Sequence, residues 1–97
     1  MKKSALKLTE TDTAATAMED IPAGEIVAIT DTNGKDTEGI RALSDIKRGH
    51  KIALKDINLG EEVIKYGYPI GIACKSILRG ECINTDNLVS ARGRGDL

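Results

Sequence analysis

The 97-residue sequence predicts an all-β domain of short strands, and three observations carry that prediction. Isoleucine and valine dominate the apolar residues, with Tyr66 and Tyr68 the only aromatics, and β-branched side chains fit a pleated surface better than a helical turn. No long stretch repeats its apolar residues at the helical period. Instead a short unit returns four times: "DIPAGEIV" at 20–27, "DIKRGHKI" at 45–52, "DINLGEEV" at 56–63 and "SILRGECI" at 76–83.

Each unit is a polar starter, an isoleucine, two variable residues, a glycine, a polar residue, a variable one and a β-branched aliphatic. Asp20, Asp45, Asp56 and Ser76 are expected to accept hydrogen bonds from backbone N–H groups two or three residues on. The isoleucine then enters the core. Gly24, Gly49, Gly60 and Gly80 are placed where the chain needs positive φ to leave a short helical turn, a conformation that glycine adopts without a Cβ penalty. The irregular spacing of the copies excludes a solenoid of fixed period.

Strands follow at 4–9 and 13–18 in the opening segment. Those at 25–30, 50–54, 61–65 and 81–85 leave the four unit glycines. The strand at 38–43 follows an Asn33-Gly34 hairpin signal, and that at 70–74 follows a tight turn in "KYGYPIG". The domain is expected to occupy 1–88, with "VSARGRGDL" at 89–97 as a tail held only by a partner.

Composition excludes several classes. Net charge is −1, with basic residues scattered among acids, so the electrostatic footprint of a nucleic-acid binder is missing. There is no apolar run of membrane-spanning length and no secretory signal, which makes the cytoplasm the default location. Cys74 and Cys82 form no CxxC pair, and both are read as thiols.

The segment "GHKIALKDINLGEEVIKYGYPIGIACKSILRGECINTDNL", 49–88, closely resembles the amino-terminal SAF-type region of altronate and galactarate dehydratases, a β-clip fold. His50-Lys51-Ile52-Ala53-Leu54, Val63-Ile64-Lys65-Tyr66-Gly67 and Pro69-Ile70-Gly71 carry the resemblance. Residues 5–25 look like that family's opening strands, and "RGRGDL" is similar to the tail of its stand-alone members. The resemblance implies a cytoplasmic small subunit of a hydro-lyase that dehydrates sugar acids to 2-keto-3-deoxy acids, in an active site shared with a large catalytic subunit. It further implies a divalent metal, iron by analogy, held mainly by that partner. The small subunit of sulfolactate sulfo-lyase is resembled equally well, and a non-catalytic module that binds a sugar or a protein is the reading from another class. A homo-oligomer is left open, and no nucleic acid or membrane is implied. Where family members carry H-V-H-T-H-N, this chain has Cys82-Ile83-Asn84-Thr85-Asp86-Asn87, three histidines fewer.

Elimination β to a carboxylate needs a base for the α-proton, stabilisation of the resulting enediolate and an acid for the leaving group. His50, the only histidine, and Lys65 are the catalytic candidates by resemblance, since an imidazole can exchange protons near neutral pH. Lys51, Tyr66, Gly67 and Asn87 are the substrate-binding candidates, with Gly67 letting a substrate carboxylate approach the backbone. Asp86 and Cys82 are the candidate metal ligands. One histidine and two lysines fall short of a self-sufficient metal hydro-lyase. The site is therefore expected to be completed by a partner, with His50 reaching across from a turn-to-strand junction.

Overall fold

The computed structural model describes residues 3–90, all of whose regular structure is β. Nine strands follow in order: β1 Lys3–Leu6, β2 Ala14–Ala17, β3 Ile26–Thr30, β4 Asp36–Arg41, β5 Lys51–Ala53, β6 Glu62–Lys65, β7 Tyr68–Ala73, β8 Cys82–Ile83 and β9 Leu88–Ser90. A six-stranded sheet runs β4-β3-β1-β2-β5-β8 and a three-stranded one β6-β7-β9. All pairings are antiparallel except that of β1 with β3. The eight expected strands are present, most of them shorter than read. The ninth is a correction, because Leu88 and Val89 pair with Ala73 and Ile72 of β7, so the ordered domain runs past 88. Residues 91–97, with most of the expected tail and its "RGRGDL", lie outside the described residues.

The four units share one conformation, and it is not a helical turn. In each, the residue after the glycine donates its N–H to the carbonyl three residues back: Glu25 to Pro22 at 3.2 Å, and His50 to Lys47, Glu61 to Asn58 and Glu81 to Leu78 at 2.9 Å. Gly24, Gly49, Gly60 and Gly80 sit at φ 93, 86, 90 and 97°, the position i+2 of a type II β-turn, which requires positive φ.

What the sequence reading missed is that the turns work in pairs. The amide groups of Ile21 and Ile46 exchange hydrogen bonds of 2.7 and 2.8 Å, and those of Ile57 and Ile77 do the same. Each glycine N–H then donates to the carbonyl of an alanine three residues before the partner unit's starter. That alanine returns its N–H to the carbonyl just after the glycine. Gly24 is thus clipped to Ala42, Gly49 to Ala17, Gly60 to Ala73 and Gly80 to Ala53. Six backbone hydrogen bonds join each pair. The full repeat is Ala-x-x-Asp/Ser-Ile-x-x-Gly, and the alanines are buried because a neighbouring turn lies over them.

The starter residues are a second correction. Asp20 accepts from Arg48 N at 2.9 Å, Asp45 from Ala23 N at 2.8 Å and Asp56 from Arg79 N at 2.9 Å. Each carboxylate caps the partner's turn rather than its own. Its own turn is closed by the backbone bond at the glycine, whereas the partner's turn is brought alongside by the isoleucine bridge.

Each pair of units seeds its own core. Ile21 and Ile46 pack with Val27, Ile29, Ile40 and Ile52. Ile57 and Ile77 pack with Val63 and Ile83, against which Ile70 and Leu88 are partly buried. Strands β2 and β5 form the wall between the two. Ala15 and Ile52 face the first core, Ala14 and Ala53 the second, as alternation along a strand requires. This explains the alanine-rich "AATA" of β2: both faces are covered, and small side chains let both cores close on it.

The β3–β4 hairpin matches its Asn33-Gly34 signal. Gly34 has φ 82° and donates to Asp31 O at 3.0 Å, while Asp31 Oδ1 caps the amides of Asn33 and Lys35.

The glycines differ in what surrounds them. A Cβ on Gly24 meets nothing within 4 Å, whereas one on Gly80 meets Arg41 O at 2.3 Å and Leu43 Cγ at 3.2 Å. Gly24→Ala is expected to cost about 1 kcal/mol, the left-handed backbone penalty alone. Gly80→Ala should cost at least twice that, because backbone must also move. Urea unfolding of the two variants checks the ordering.

Candidate functional site

The sequence-derived candidates fall in three places. The first is the tip of the β6–β7 hairpin, where Tyr66 and Gly67 form a two-residue turn with φ 57 and 78°, the pattern of a type I′ turn. A tyrosine in the left-handed region costs about 1–2 kcal/mol. Asp12 holds it there.

Asp12 is 5% exposed. Its Oδ2 accepts from Leu8 N at 3.1 Å and Thr9 N at 3.0 Å, and its Oδ1 from Thr9 Oγ1 at 2.7 Å and Gly67 N at 2.9 Å. Burial alone would raise the pKa of this carboxyl. The hydrogen bonds from Thr9, Gly67 and Tyr66 outweigh burial and bring it down to about 2. Thr13 continues the seam: its N–H donates to Ile64 O, and its Oγ1 accepts from Ile64 N, both at 2.9 Å. The sequence reading passed over Asp12. A Thr-x-x-Asp turn signature was present at 9–12, but the 55-residue reach to Gly67 has no local signal.

The tip therefore presents a fixed array. Lys65, half-buried, pairs across the ladder with Tyr68. Tyr66 and Tyr68 are 61% and 68% exposed, their rings 6.4 Å apart and edge to face. The Gly67 N–H, expected to meet a substrate carboxylate, is occupied by the carboxylate of Asp12, and glycine is required there by the turn.

The second place is a groove of about 310 Å³ lined by Lys51, Ile70, Ile83, Asn84, Thr85 and Leu88. Asn87 shapes it without lining it. Its Oδ1 accepts from Asn84 N at 2.9 Å and its Nδ2 donates to Cys82 O at 2.9 Å, while Asp86 N donates to Asn84 Oδ1 at 2.8 Å. The side-chain amide named as a substrate contact is thus committed to the loop, and Asn84 and Thr85 are the loop residues that face the groove. Cys82 lies in the first core. Burial pushes its thiol pKa up, against the smaller lowering effects of Asn84 and the Lys51 charge.

The third place is His50. It is exposed and backbone-locked, donating to Lys47 O and accepting from Ala17 N. Lys51 beside it lines the groove, and His50 does not.

Among the described residues no three His, Cys, Asp or Glu side chains gather in a way that could hold an ion. Cys82 is buried, and that burial pushes its thiol pKa up. A larger concavity of about 470 Å³ between residues 7–10 and the β3–β4 hairpin holds none of the candidates. Two of its carboxylates are engaged, Asp31 in the hairpin and Glu38 with Arg79 at 2.8 Å. Among the described residues no helix is long and apolar enough to cross a membrane.

Paired turns clipping short strands around two small cores, with the candidate residues spread over open rims and one buried carboxylate anchoring the hairpin tip, define a β-clip domain. Residues 3–91 match the altronate/galactarate dehydratase SAF domain, and the chain belongs to that family. It is 39% identical over 85 residues to altronate dehydratase of Bacillus subtilis, covering 88% of this chain and 16% of the relative. With altronate dehydratase of Escherichia coli it shares 37% identity over 82 residues, 84% of this chain and 15% of the relative. The (2R)-sulfolactate sulfo-lyase subunit alpha of Chromohalobacter salexigens is 41% identical over 44 residues, 45% of this chain and 47% of that protein. The chain thus spans about a sixth of the length of the dehydratases it matches.

The low Asp12 pKa fixes a pH dependence. Lowered from 3.8 to about 2 in the folded state, this group contributes stability that is fully present above pH 3.8 and is lost as pH falls through 2. Asp12→Asn is expected to cost up to about 2 kcal/mol at neutral pH, and the difference from the parent should shrink towards pH 2 and vanish below it. Urea titrations across that range test it.

Proposed function

We propose that this chain is the small subunit of a sugar-acid hydro-lyase of the altronate/galactarate type and contributes residues to a site completed by a large catalytic subunit. Family membership across residues 3–91, with 39% and 37% identity to two altronate dehydratases, carries the reading. On it, most of the catalytic machinery, including the metal, comes from the partner.

In this scheme His50 exchanges the proton of the elimination, from a rim whose backbone cannot shift without breaking the Gly49–Ala17 clip. Lys65 and Lys51 supply positive charge for the developing enediolate, Lys65 from the Asp12-anchored tip and Lys51 from the groove. Tyr66 offers a phenol to the polyol, and Asn84 and Thr85 join the substrate contacts. The partner supplies the facing wall.

One observation favours a second reading. The sulfo-lyase subunit alpha, itself a subunit by name, is 41% identical to this chain over 44 residues. A small subunit that assists expulsion of sulfite rather than water uses the same surfaces, with only the leaving group changed.

The test is reconstitution with a large dehydratase subunit and assay on altronate, galactarate and sulfolactate, following keto-deoxy acid or sulfite. Product is expected with the mixture and not with either part alone. His50→Ala is expected to lower kcat at least about a hundredfold, the scale of a lost general acid or base. Unchanged turnover would leave a docking module as the better account.

A further inference from the structure

The four turns serve as controls for one another, and one of them is incomplete. In the third unit Glu61 Oε1 accepts from Asn58 N at 2.6 Å, and in the fourth Glu81 Oε1 accepts from Leu78 N at 2.6 Å. Each carboxylate follows the unit glycine and reaches back to the amide three residues earlier. In the first unit Glu25 stands at the same place, but Pro22 occupies the donor position and has no N–H to offer. In the second unit the donor is present as Lys47 N–H, and the acceptor is replaced by His50. The backbone is otherwise the same, with Gly49 at φ 86° beside 90 and 97° for Gly60 and Gly80, and with turn-closing bonds of 2.9 Å in all three. Lys47 and His50 are both exposed, and neither the Lys47 amide nor the imidazole has a hydrogen-bond partner among the described residues.

We propose that the second turn is a carboxylate-binding site, at which one carboxylate of a sugar acid takes the place that Glu61 and Glu81 fill in their own turns, on the Lys47 N–H beside His50. Charge-assisted bonds from a backbone N–H to a carboxylate are the strong kind, and the neighbouring Arg48 N–H already makes one, to Asp20 Oδ1 at 2.9 Å. His50 then has two consequences: it removes the intramolecular competitor and sets an imidazole next to the bound acid. Assigning the carboxylate to a sugar acid rests on the function proposed above.

The test follows backbone amide NMR signals of the full chain during titration with galactarate, with galactitol, the same polyol without carboxylates, as control. The Lys47 amide is expected to shift saturably with galactarate and not with galactitol, while Asn58 and Leu78, already capped, stay still. In His50→Glu the internal carboxylate should fill the site, move the Lys47 amide towards the positions of Asn58 and Leu78, raise the urea midpoint and cut the galactarate response at least tenfold. Lys47→Pro copies Pro22 of the first unit and should abolish the response of the Gly49 and His50 amides. Ser76→Asp supplies the one missing starter carboxylate, and should raise the urea midpoint without touching the response. A silent Lys47 amide, an equal response to galactitol, or a galactarate response that survives Lys47→Pro would overturn the site. Binding here with no product from any reconstituted mixture would defeat the proposed function instead.

Discussion

The rest of the structure depends on the reciprocal clip, two type II turns held face to face by an isoleucine–isoleucine bridge. Each pair has six backbone hydrogen bonds and buries two isoleucines almost completely. A buried isoleucine contributes roughly 1.5–3 kcal/mol, and a typical hydrogen bond about 1 kcal/mol net. Burial thus gives each clip substantial stability, while the backbone bonds fix its geometry. Strands of two to six residues are too short to fix their own register securely. The clips set it for them, since each unit begins where one strand ends and releases the next.

This arrangement puts conserved geometry and variable chemistry in the same place. The backbone of all four turns is set by the clip, so side chains at the variable positions can change without cost to the fold. Pro22, His50 and Ser76 are three such departures, at the donor, acceptor and starter positions. Replacing an internal cap with an imidazole gives up a local hydrogen bond that two sister turns retain, and such a breach of a local rule is where a working site is expected. The hairpin tip follows the same logic with another device. Asp12 fixes a strained Tyr66, leaving two rings and an ammonium in set positions.

Much of the fold was readable because its rules are local. Positive φ at the unit glycines, isoleucine in the core and the Asn33-Gly34 hairpin each rest on neighbouring residues. The pairing of units was harder to see. Asp20 caps Arg48 across 28 residues and Asp12 holds Gly67 across 55, and an aspartate reads the same whether its partner is two residues away or fifty. The alanine three residues before each starter was visible in all four copies, but alanine advertises nothing until a turn is laid on it. Of the site, the resemblance marked His50, Lys51 and Lys65, and the structure separates them into a rim, a groove and a tip. Asn87 shows the limit most clearly: an amide read as a ligand contact also shapes the loop that carries Asn84 and Thr85.

The two tyrosines add a last constraint. In a chain whose cores hold no aromatic residue, the only aromatic side chains could have contributed most to stability by burial, since each can bury about 150–250 Å². Both are instead held outside, at the end of a hairpin whose left-handed turn costs stability to maintain. A tip of this kind gains its return only when something covers it. Two small cores leave little room to enclose a ligand, and an open groove of about 310 Å³ cannot exclude water from one. A second surface that closes over the tip, the groove and the His50 rim would bury the tyrosines, dry the site and bring three separated groups to bear on one substrate. The stiffness of the clips keeps tip, groove and rim apart within the domain, and this separation is the physical basis of the proposal that a second surface completes the site.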